Sequence, residues 1–156
     1  MTLAIRAYEP ADWEALCRIH DAARVGELKG SVGLDAFLSL EDTYEEEELF
    51  DNPVYVAVND GAVVGFIAAS SHEITWLYVD PALQRSGIGS ALVAHVLALG
   101  GDRIELEVLD GNVARDFYER MGFVHAGTTT GKLAGNANFT ATGHTLVWHR
   151  PATVAQ

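Results

Sequence analysis

Two glycines at the start of an apolar helix pattern constrain this sequence more than any other feature. The stretch WLYVDPALQRSGIGSALVAHVLALGG, residues 76–101, runs from an apolar strand through a polar turn into Gly87-Ile88-Gly89. The helix that follows is predicted to have a core face at Ile88, Leu92, Val96 and Leu99. The first backbone N–H groups of a helix have no partner within it and together carry a partial positive charge. The turn therefore predicts a cradle for phosphate groups.

Two familiar nucleotide-binding motifs do not fit this turn. A Walker A loop requires a lysine directly after its last glycine, and the lysines here are Lys29 and Lys132. The dinucleotide-binding pattern requires a third glycine where Leu92 stands. A helix that begins at a flexible turn and binds nothing would have the same two glycines. The donors of residues 84–86, just before the glycines, favour an anion site instead.

The remaining chain predicts an alternation of strands and helices in the order β-α-α-β-β-β-α-β-α-β-β. A strand at residues 3–7 precedes a helix that begins at Pro10 and breaks over residues 26–33, and a second helix covers about residues 34–49. The next predicted elements are a hairpin around residues 59–61, strands at 74–79 and 103–108, a helix at 113–121, strands at 123–127 and 144–150, and a loop at 128–143. This order predicts an α/β fold with a mixed sheet.

Composition limits the classes of function. The 156 residues suit a single domain over 1–156, and one cysteine, Cys17, suits a reducing cytoplasm. The N-terminus has no signal-peptide pattern, and no apolar run is long enough to span a membrane. A net charge of −12 argues against nucleic-acid binding. The same charge is compatible with simple solubility or with attraction of a cationic partner such as an amine.

Two motifs resemble those of one family, the GNAT N-acetyltransferases. VDPALQRSGIGSAL resembles the family's acetyl-CoA motif, written Q/R-x-x-G-x-G/A, with matches at Gln84, Gly87 and Gly89. EVLDGNVARDFYERMGF, residues 107–123, is similar to the second family signature of strand, Asn and helix. The resemblance implies the GNAT fold: a mixed, mostly antiparallel central sheet of about six to seven strands with splayed middle strands, flanked by about four helices.

The resemblance also implies which residues bind acetyl-CoA as co-substrate, and no metal is expected. The pantetheine arm is expected to lie in the gap beside the strand before the turn and to pair with Leu77, Tyr78 and Val79. The pyrophosphate is expected on the backbone N–H groups after Gln84, namely those of Arg85, Ser86, Gly87, Ile88, Gly89 and Ser90. Asn112 is expected to contact the cofactor, although the same side chain is also suited to an ordinary helix N-cap.

Three residues are candidates for catalysis. The family match makes Tyr118 the proton donor to the leaving thiolate, whereas the residue type alone also suits an aromatic core position. Glu107 is placed like the glutamate of family members that acetylate protein N-termini, and Glu73 precedes the strand where other members keep theirs. Exposed strand positions would explain both glutamates equally well. His72 and His125 are weaker alternatives.

The function that the resemblance implies is N-acetyl transfer to a primary amine, by direct attack and without a covalent enzyme intermediate. A backbone N–H near Val79 is expected to stabilise the oxyanion. The acceptor stays open between a small-molecule amine and a protein N-terminus, and the acidic run at residues 45–48 is either a solvated helix face or a guide for a cation. The alternatives are a catalytically silent acyl-CoA-binding or sensing domain on the same fold and an unrelated nucleotide-binding protein. A homodimer is compatible with the family.

Overall fold

The computed structural model describes residues 2–133 and 136–152 and contains seven strands and four α-helices in that part of the chain. The strands are β1 (Leu3–Ala7), β2 (Val54–Asn59), β3 (Ala62–Ala69), β4 (Ile74–Val79), β5 (Arg103–Leu109), β6 (Val124–Leu133) and β7 (Asn136–His149). The helices are α1 (Trp13–Lys29), α2 (Leu40–Thr43), α3 (Ile88–Leu99) and α4 (Ala114–Arg120). None of these helices is both long and apolar enough to cross a bilayer.

The strands form two antiparallel groups that meet along one parallel seam. Strands β1-β2-β3-β4 are neighbours in the first group, and β5-β7-β6 in the second. Strands β4 and β5 run parallel and touch only at their beginnings, where a bridge joins Glu73 to Glu105. The N–H group of Glu105 donates to the carbonyl of His72 at 3.0 Å. Beyond this bridge the two strands pair no further, so the middle of the sheet opens into a gap. The predicted fold class is confirmed.

Two apolar clusters cover opposite faces of the sheet. Helices α3 and α4 pack on one face and α1 on the other. Helix α3 approaches the sheet closely at Gly65, where an added Cβ would lie 3.1 Å from the Tyr78 carbonyl oxygen and 3.2 Å from Leu92. The predicted core face of α3 is right at three of four positions, because Leu99 is 62% exposed. The buried side chains of α3 are Ile88, Leu92, Val93, Val96 and Leu97.

The two predicted helices of the N-terminal half differ from the observed ones. Helix α1 continues through Gly26 and ends at Lys29, because an internal glycine weakens a helix without stopping it. The predicted helix over residues 34–49 is wrong. A 3₁₀ turn at Leu34–Ala36 and the short helix α2 replace it, with extended backbone at Phe37 between them. A left-handed Glu48 (φ 59°) then ends the segment after adjacent glutamates that repel one another in a helix.

The predicted loop at residues 128–143 is also wrong. The described part of this segment continues β6 and β7, which pair antiparallel as far as Leu133 with Asn136; residues 134 and 135 lie outside the described residues. Threonine is β-branched and fits strands well, so the composition that suggested a loop is also that of an exposed strand pair. The far end of the pair is anchored where Leu133 and Phe139 pack with Leu28 of α1.

Candidate functional site

A cavity of about 390 Å³ lies where β4 and β5 part. Residues 73–78 of β4 form one wall and residues 106–109 of β5 the other. Helix α1 contributes His20, Arg24 and Glu27, and the segment around α2 contributes residues 36, 38, 43 and 47. The parallel bridge at Glu73 fixes the narrow end of the gap. The cavity therefore lies in the predicted gap between the middle strands and extends to the residues contributed by α1 and the α2 segment.

The main chain of β4 faces this gap at alternate residues. Asp80 donates its N–H to the carbonyl of Val64 on β3 at 2.9 Å. Hydrogen bonding alternates along an antiparallel strand, so Tyr78 also bonds toward β3, whereas Leu77 and Val79 point their N–H and C=O groups away from it. Two of the three residues expected to pair with pantetheine thus offer free main-chain groups. The third, Tyr78, offers its side chain to the cavity instead.

The glycine turn continues from the end of β4 and is shaped by two left-handed residues, Arg85 (φ 67°) and Gly87 (φ 85°). The Asp80 side chain accepts from the Ala82 N–H at 3.0 Å and pairs with Arg18 at 3.1 Å, which braces the entry to the turn. Within residues 2–133 and 136–152, no protein group accepts a hydrogen bond from the backbone N–H groups of residues 85–90. Six unpaired donors around a glycine turn fit a diphosphate group.

The turn does not line the cavity itself but adjoins it through Gly89. A Cβ added at Gly89 would lie 3.4 Å from the ring of Phe117 and 3.8 Å from the Val79 side chain. Phe117 in turn packs edge-on against Tyr118, with ring centroids 5.1 Å apart. The exposed Gln84 side chain makes no hydrogen bond to the described part of the protein. Phe117 therefore links the turn predicted to bind the cofactor to Tyr118, the residue predicted to act in catalysis.

Tyr118 is buried, with 7% of its surface exposed, and lines the cavity. It is more deeply buried than its helix neighbours Ala114 and Phe117, which are partly buried. Its hydroxyl has no hydrogen-bond partner among the described residues. Burial raises the pKa of this phenol well above its usual value, and the charge of Glu27 raises it further. The side chain is therefore neutral at physiological pH.

Asn112 combines two roles. Its side-chain oxygen accepts the N–H of Ala114 at 2.9 Å, which is the capping role that the residue type predicted. Its amide nitrogen donates to Glu27 at 3.1 Å, and the Tyr78 hydroxyl donates to the other oxygen of Glu27 at 3.3 Å. Arg24 is a further donor to Glu27. Burial raises the pKa of Tyr78 well above its usual value, so this hydroxyl stays a donor.

Both predicted catalytic glutamates line the cavity, on opposite walls. The Glu107 carboxylate lies over Gly143 of β7, where an added Cβ would come within 2.7 Å of its Oε1. Neither Glu107 nor Glu73 makes a side-chain hydrogen bond within the described residues. Glu27 and Glu47 add two more carboxylates to the lining, and Arg24 adds one positive charge. The lining is thus acidic overall and favours a cation.

Other predicted positions fall elsewhere. His72 is exposed, and His125 bonds with Thr128 and His144 on the exposed β6–β7 face, so neither lines the cavity. No group of three or more His, Cys, Asp or Glu side chains in the described ranges is arranged to hold a metal ion. Sequence reasoning missed Arg24 and Glu27, and it did not single out His20. Their one signal is a run of polar residues on the helix face beside His20.

The sheet with parted middle strands, the unpaired amides after β4 and the tyrosine in the gap agree with the architecture that the two motifs predicted. The family model described as "Acetyltransferase (GNAT) domain" matches residues 51–125. The Escherichia coli protein named "Uncharacterized N-acetyltransferase YafP" is 32% identical over 124 residues, which are 78% of this chain and 81% of that protein. The chain belongs to the GNAT acetyltransferase family, whose co-substrate is acetyl-CoA.

Further comparisons agree on the fold. The E. coli protein named "Peptidyl-lysine N-acetyltransferase YjaB" is 32% identical over 93 residues, 56% of this chain and 63% of that protein. Its solution structure without ligand superposes with a TM-score of 0.69 over 97% of this chain and 100% of that one, at 26% identity. A Bacillus anthracis structure described as a putative streptothricin acetyltransferase with acetyl coenzyme A gives a TM-score of 0.65 over 95% and 99% of the two chains, at 22% identity.

Proposed function

We propose that this protein transfers the acetyl group of acetyl-CoA to a primary amine by direct attack of the amine on the thioester. One observation carries the proposal: the unpaired amides of residues 85–90 lie at one end of a gap whose cavity holds the hydroxyl of Tyr118. An anion site and a proton donor that share one surface suit a substrate with a diphosphate at one end and a leaving sulfur at the other.

The binding roles follow from the free donors and acceptors of the chain. The backbone N–H groups of residues 85–90 would hold the diphosphate, with Gln84 and Arg85 at its rim. The free main-chain groups of Leu77 and Val79 would pair with the amides of the pantetheine arm, and the N–H of Val79 would face the thioester oxygen. Asn112 is proposed at the opposite strand end, where its amide already bonds with Glu27. When bound, acetyl-CoA supplies the activated acetyl group.

Tyr118 would donate its proton to the sulfur that leaves. A phenol with a raised pKa is a weaker acid, so the donation is more uphill than for an exposed tyrosine. The same burial also raises the pKa of a thiol, because burial disfavours any anion. The difference in pKa between the Tyr118 phenol and the leaving thiol is therefore smaller than the raised pKa of Tyr118 alone would indicate. The neutral hydroxyl, free of protein partners, is available for the transfer.

The acceptor would enter from the side of α1 and α2. An amine arrives as a cation, and the carboxylates of Glu73 and Glu107 would hold its charge on the two walls and pass its proton toward solvent. Glu107 resembles the glutamate of enzymes that acetylate protein N-termini, whereas the relative YjaB is named for acetylation of peptidyl lysine. Both acceptor types, together with small diamines, therefore belong in the first test.

The experiment is a thiol-release assay with acetyl-CoA and three acceptors: putrescine, a peptide with a free N-terminus, and an N-terminally blocked peptide with one lysine. We expect one acceptor to raise the rate at least tenfold over hydrolysis, and mass spectrometry to find the acetyl group on its amine. Retention on immobilised CoA in preference to ATP and NAD tests the cofactor site separately. Tight CoA binding with no transfer to any acceptor would favour the silent acyl-CoA-binding domain instead.

A further inference from the structure

One side chain of the cavity has the surroundings of a general base and was not among the predicted catalytic residues. His20 of α1 lines the cavity, yet only 3% of its surface is exposed. Its ring packs edge-on against Tyr78, with centroids 4.8 Å apart, and beside Trp76 at 5.8 Å. These contacts hold the imidazole at the wall formed by β4. A buried histidine in a substrate-sized cavity is a candidate for proton transfer.

Asp21 fixes the orientation of this ring. The Nδ1 atom of His20 lies 2.9 Å from Asp21 Oδ1, and the same oxygen accepts the backbone N–H of Leu40 at 2.9 Å. The carboxylate is thus tied to the start of α2 and cannot swing away freely. An ionised carboxylate can only accept, so Nδ1 must carry the hydrogen. The neutral ring then has its lone pair on Nε2.

The Nε2 atom is open to the cavity. Within the described residues it has no hydrogen-bond partner. In the described part of the chain, the solvent-inaccessible side-chain atoms without a hydrogen-bond partner are Asn59 Oδ1 and His95 Nε2. The Nε2 atom of His20 is not one of them, so it is accessible to solvent. Because nearly all of the residue is buried, the small exposed surface of His20 faces the cavity that it lines. An accessible basic nitrogen therefore belongs to the wall of the cavity that an acceptor amine would enter.

We propose that Nε2 of His20 is the general base that takes the proton from the acceptor's ammonium group, and that Asp21 is the positioning residue that keeps Nε2 unprotonated. The proposal rests on the proposed acetyl transfer and deepens it, since it names the first proton acceptor. Glu73 and Glu107 then only hold the positive charge, and His20 replaces them as the group that takes the proton. By ordinary pKa values, an imidazole accepts a proton about a hundredfold more readily than a carboxylate.

The electrostatic surroundings keep the ring neutral near pH 7. Burial lowers the pKa of His20; Asp21 raises it through its hydrogen bond and charge, Arg24 lowers it and Glu27 raises it. Tyr78 packs against the ring as a neutral phenol. Since burial is the largest effect and lowers the pKa, the base form persists to pH values below the ordinary histidine pKa and is lost only at still lower pH.

The protons balance across one turnover. Nε2 takes one proton from the ammonium group and later releases it to water. The neutral amine forms the new C–N bond at the acetyl carbonyl while the C–S bond breaks, and the sulfur keeps the electron pair of that bond. Tyr118 gives its proton to this sulfur. The second proton of the amine nitrogen returns to Tyr118 through water, so the enzyme ends in its starting state.

The test compares His20→Gln with His95→Gln in the thiol-release assay, with the fastest of putrescine and the two peptides as acceptor. His95 is a matched control because its ring also packs edge-on against a tyrosine, Tyr55, at 4.5 Å and lies outside the cavity. We expect His20→Gln to lower kcat at least about a hundredfold and to remove the acid limb of the kcat profile. The KM for acetyl-CoA should change little, and His95→Gln should keep kcat and its pH profile.

A second measurement does not depend on activity. Nitrogen-15 NMR of the histidine side chains, assigned with His20→Gln, should find Nδ1 protonated and Nε2 unprotonated in His20 at pH 7. Asp21→Asn should change this tautomer and lower kcat. The proposal is overturned if Nε2 carries the hydrogen, or if His20→Gln retains the wild-type acid limb while Glu107→Gln loses it; in either case acetyl transfer itself still stands. Absence of transfer by the wild type overturns both proposals together. If His20→Gln fails to fold, single substitutions of the other five histidines assign the spectrum, and the NMR result and Asp21→Asn decide.

Discussion

Removal of the Tyr118 hydroxyl, the proposed proton donor, tests catalysis separately from cofactor binding. Tyr118→Phe keeps the ring that packs against Phe117 and Phe123, and it removes a hydroxyl that has no partner among the described residues. We expect kcat to fall roughly 10²–10³-fold, in the range of a lost general acid. The KM for acetyl-CoA and the melting temperature should change little.

Tyr55→Phe is the matched control for this change, because Tyr55 packs against His95 away from the cavity. It should leave kcat at the wild-type value. Full activity of Tyr118→Phe in the assay that detects acetyl transfer would show that Tyr118 is a core residue only, and that solvent protonates the leaving sulfur.

Gly89 tests the cofactor site with two substitutions at one position. An alanine Cβ there would sit 3.4 Å from Phe117, an ordinary contact, whereas leucine would press further toward Phe117 and Val79. The family motif accepts only Gly or Ala at this position, which agrees with the limited space beside Phe117. We expect Gly89→Ala to bind immobilised CoA like the wild type and Gly89→Leu to bind at least about tenfold more weakly. Equal binding by the two variants would place the diphosphate elsewhere.

At the scale of elements, one arginine forms hydrogen bonds with the carbonyls at the C-terminal end of α3. Arg150 donates from Nη2 to the carbonyls of Leu97, Gly100 and Gly101 at 2.9, 3.1 and 3.2 Å. Its guanidinium also lies over the Trp148 ring, 5.4 Å from the centroid. Carbonyls at a helix end lack internal partners and carry negative partial charge, so this cation satisfies them and links α3 to the end of β7.

Arg150→Met keeps the apolar stem and removes these bonds. We expect the free energy of unfolding to fall by about 1–2 kcal/mol in a urea titration. Arg103→Met is the control, since the Arg103 side chain pairs only with Glu105 among the described residues, at the surface, and its loss should cost less than about 0.5 kcal/mol. Equal effects of the two substitutions would mean that the carbonyl contacts of Arg150 contribute nothing to stability.

Elements with strong local signals were predictable, and those shaped by distant contacts were not. The β2–β3 hairpin and the turn before α3 follow from Asn59-Asp60-Gly61 and the glycines at 87 and 89, whose conformations are local. The β6–β7 extension depends on Leu133 packing against Leu28, about a hundred residues earlier in the sequence. The cavity face of α1 was missed for the same reason: His20 faces the gap only because β4 and β5 part there.

At the scale of the whole molecule, resistance to acid depends on carboxylates that are bonded in the fold. Asp12 is 6% exposed and accepts two bonds from Arg6, at 2.8 and 2.9 Å, and the Glu9 N–H at 2.9 Å. The hydrogen bond from Arg6 is the main reason that the pKa of Asp12 is lowered. Its contribution to stability is therefore complete above the unfolded-state pKa of about 3.9 and is lost as the pH falls through the lower folded-state value.

Asp12→Asn should accordingly lower the melting temperature by roughly 2–6 °C at pH 7, and the difference from wild type should shrink below about pH 4. Asp35→Asn at an exposed position is the control and should change neither value. Calorimetry between pH 3 and 7 measures both. A difference that stays constant down to pH 3 would mean that the ionised form of Asp12 is not what stabilises the fold.

We expect the net charge of −12 and the acidic cavity lining to act together on a charged acceptor over distances larger than the site. Salt screens such fields: the Debye length falls from about 30 Å at 0.01 M to about 10 Å at 0.1 M. For the diamine putrescine we expect kcat/KM to fall severalfold across this range because its approach is steered by the field, while kcat stays constant. An acceptor peptide with no net charge is the control and should respond weakly. If putrescine responds no more than that peptide, the acidic lining binds the amine by contact alone, and the charge of the molecule serves solubility.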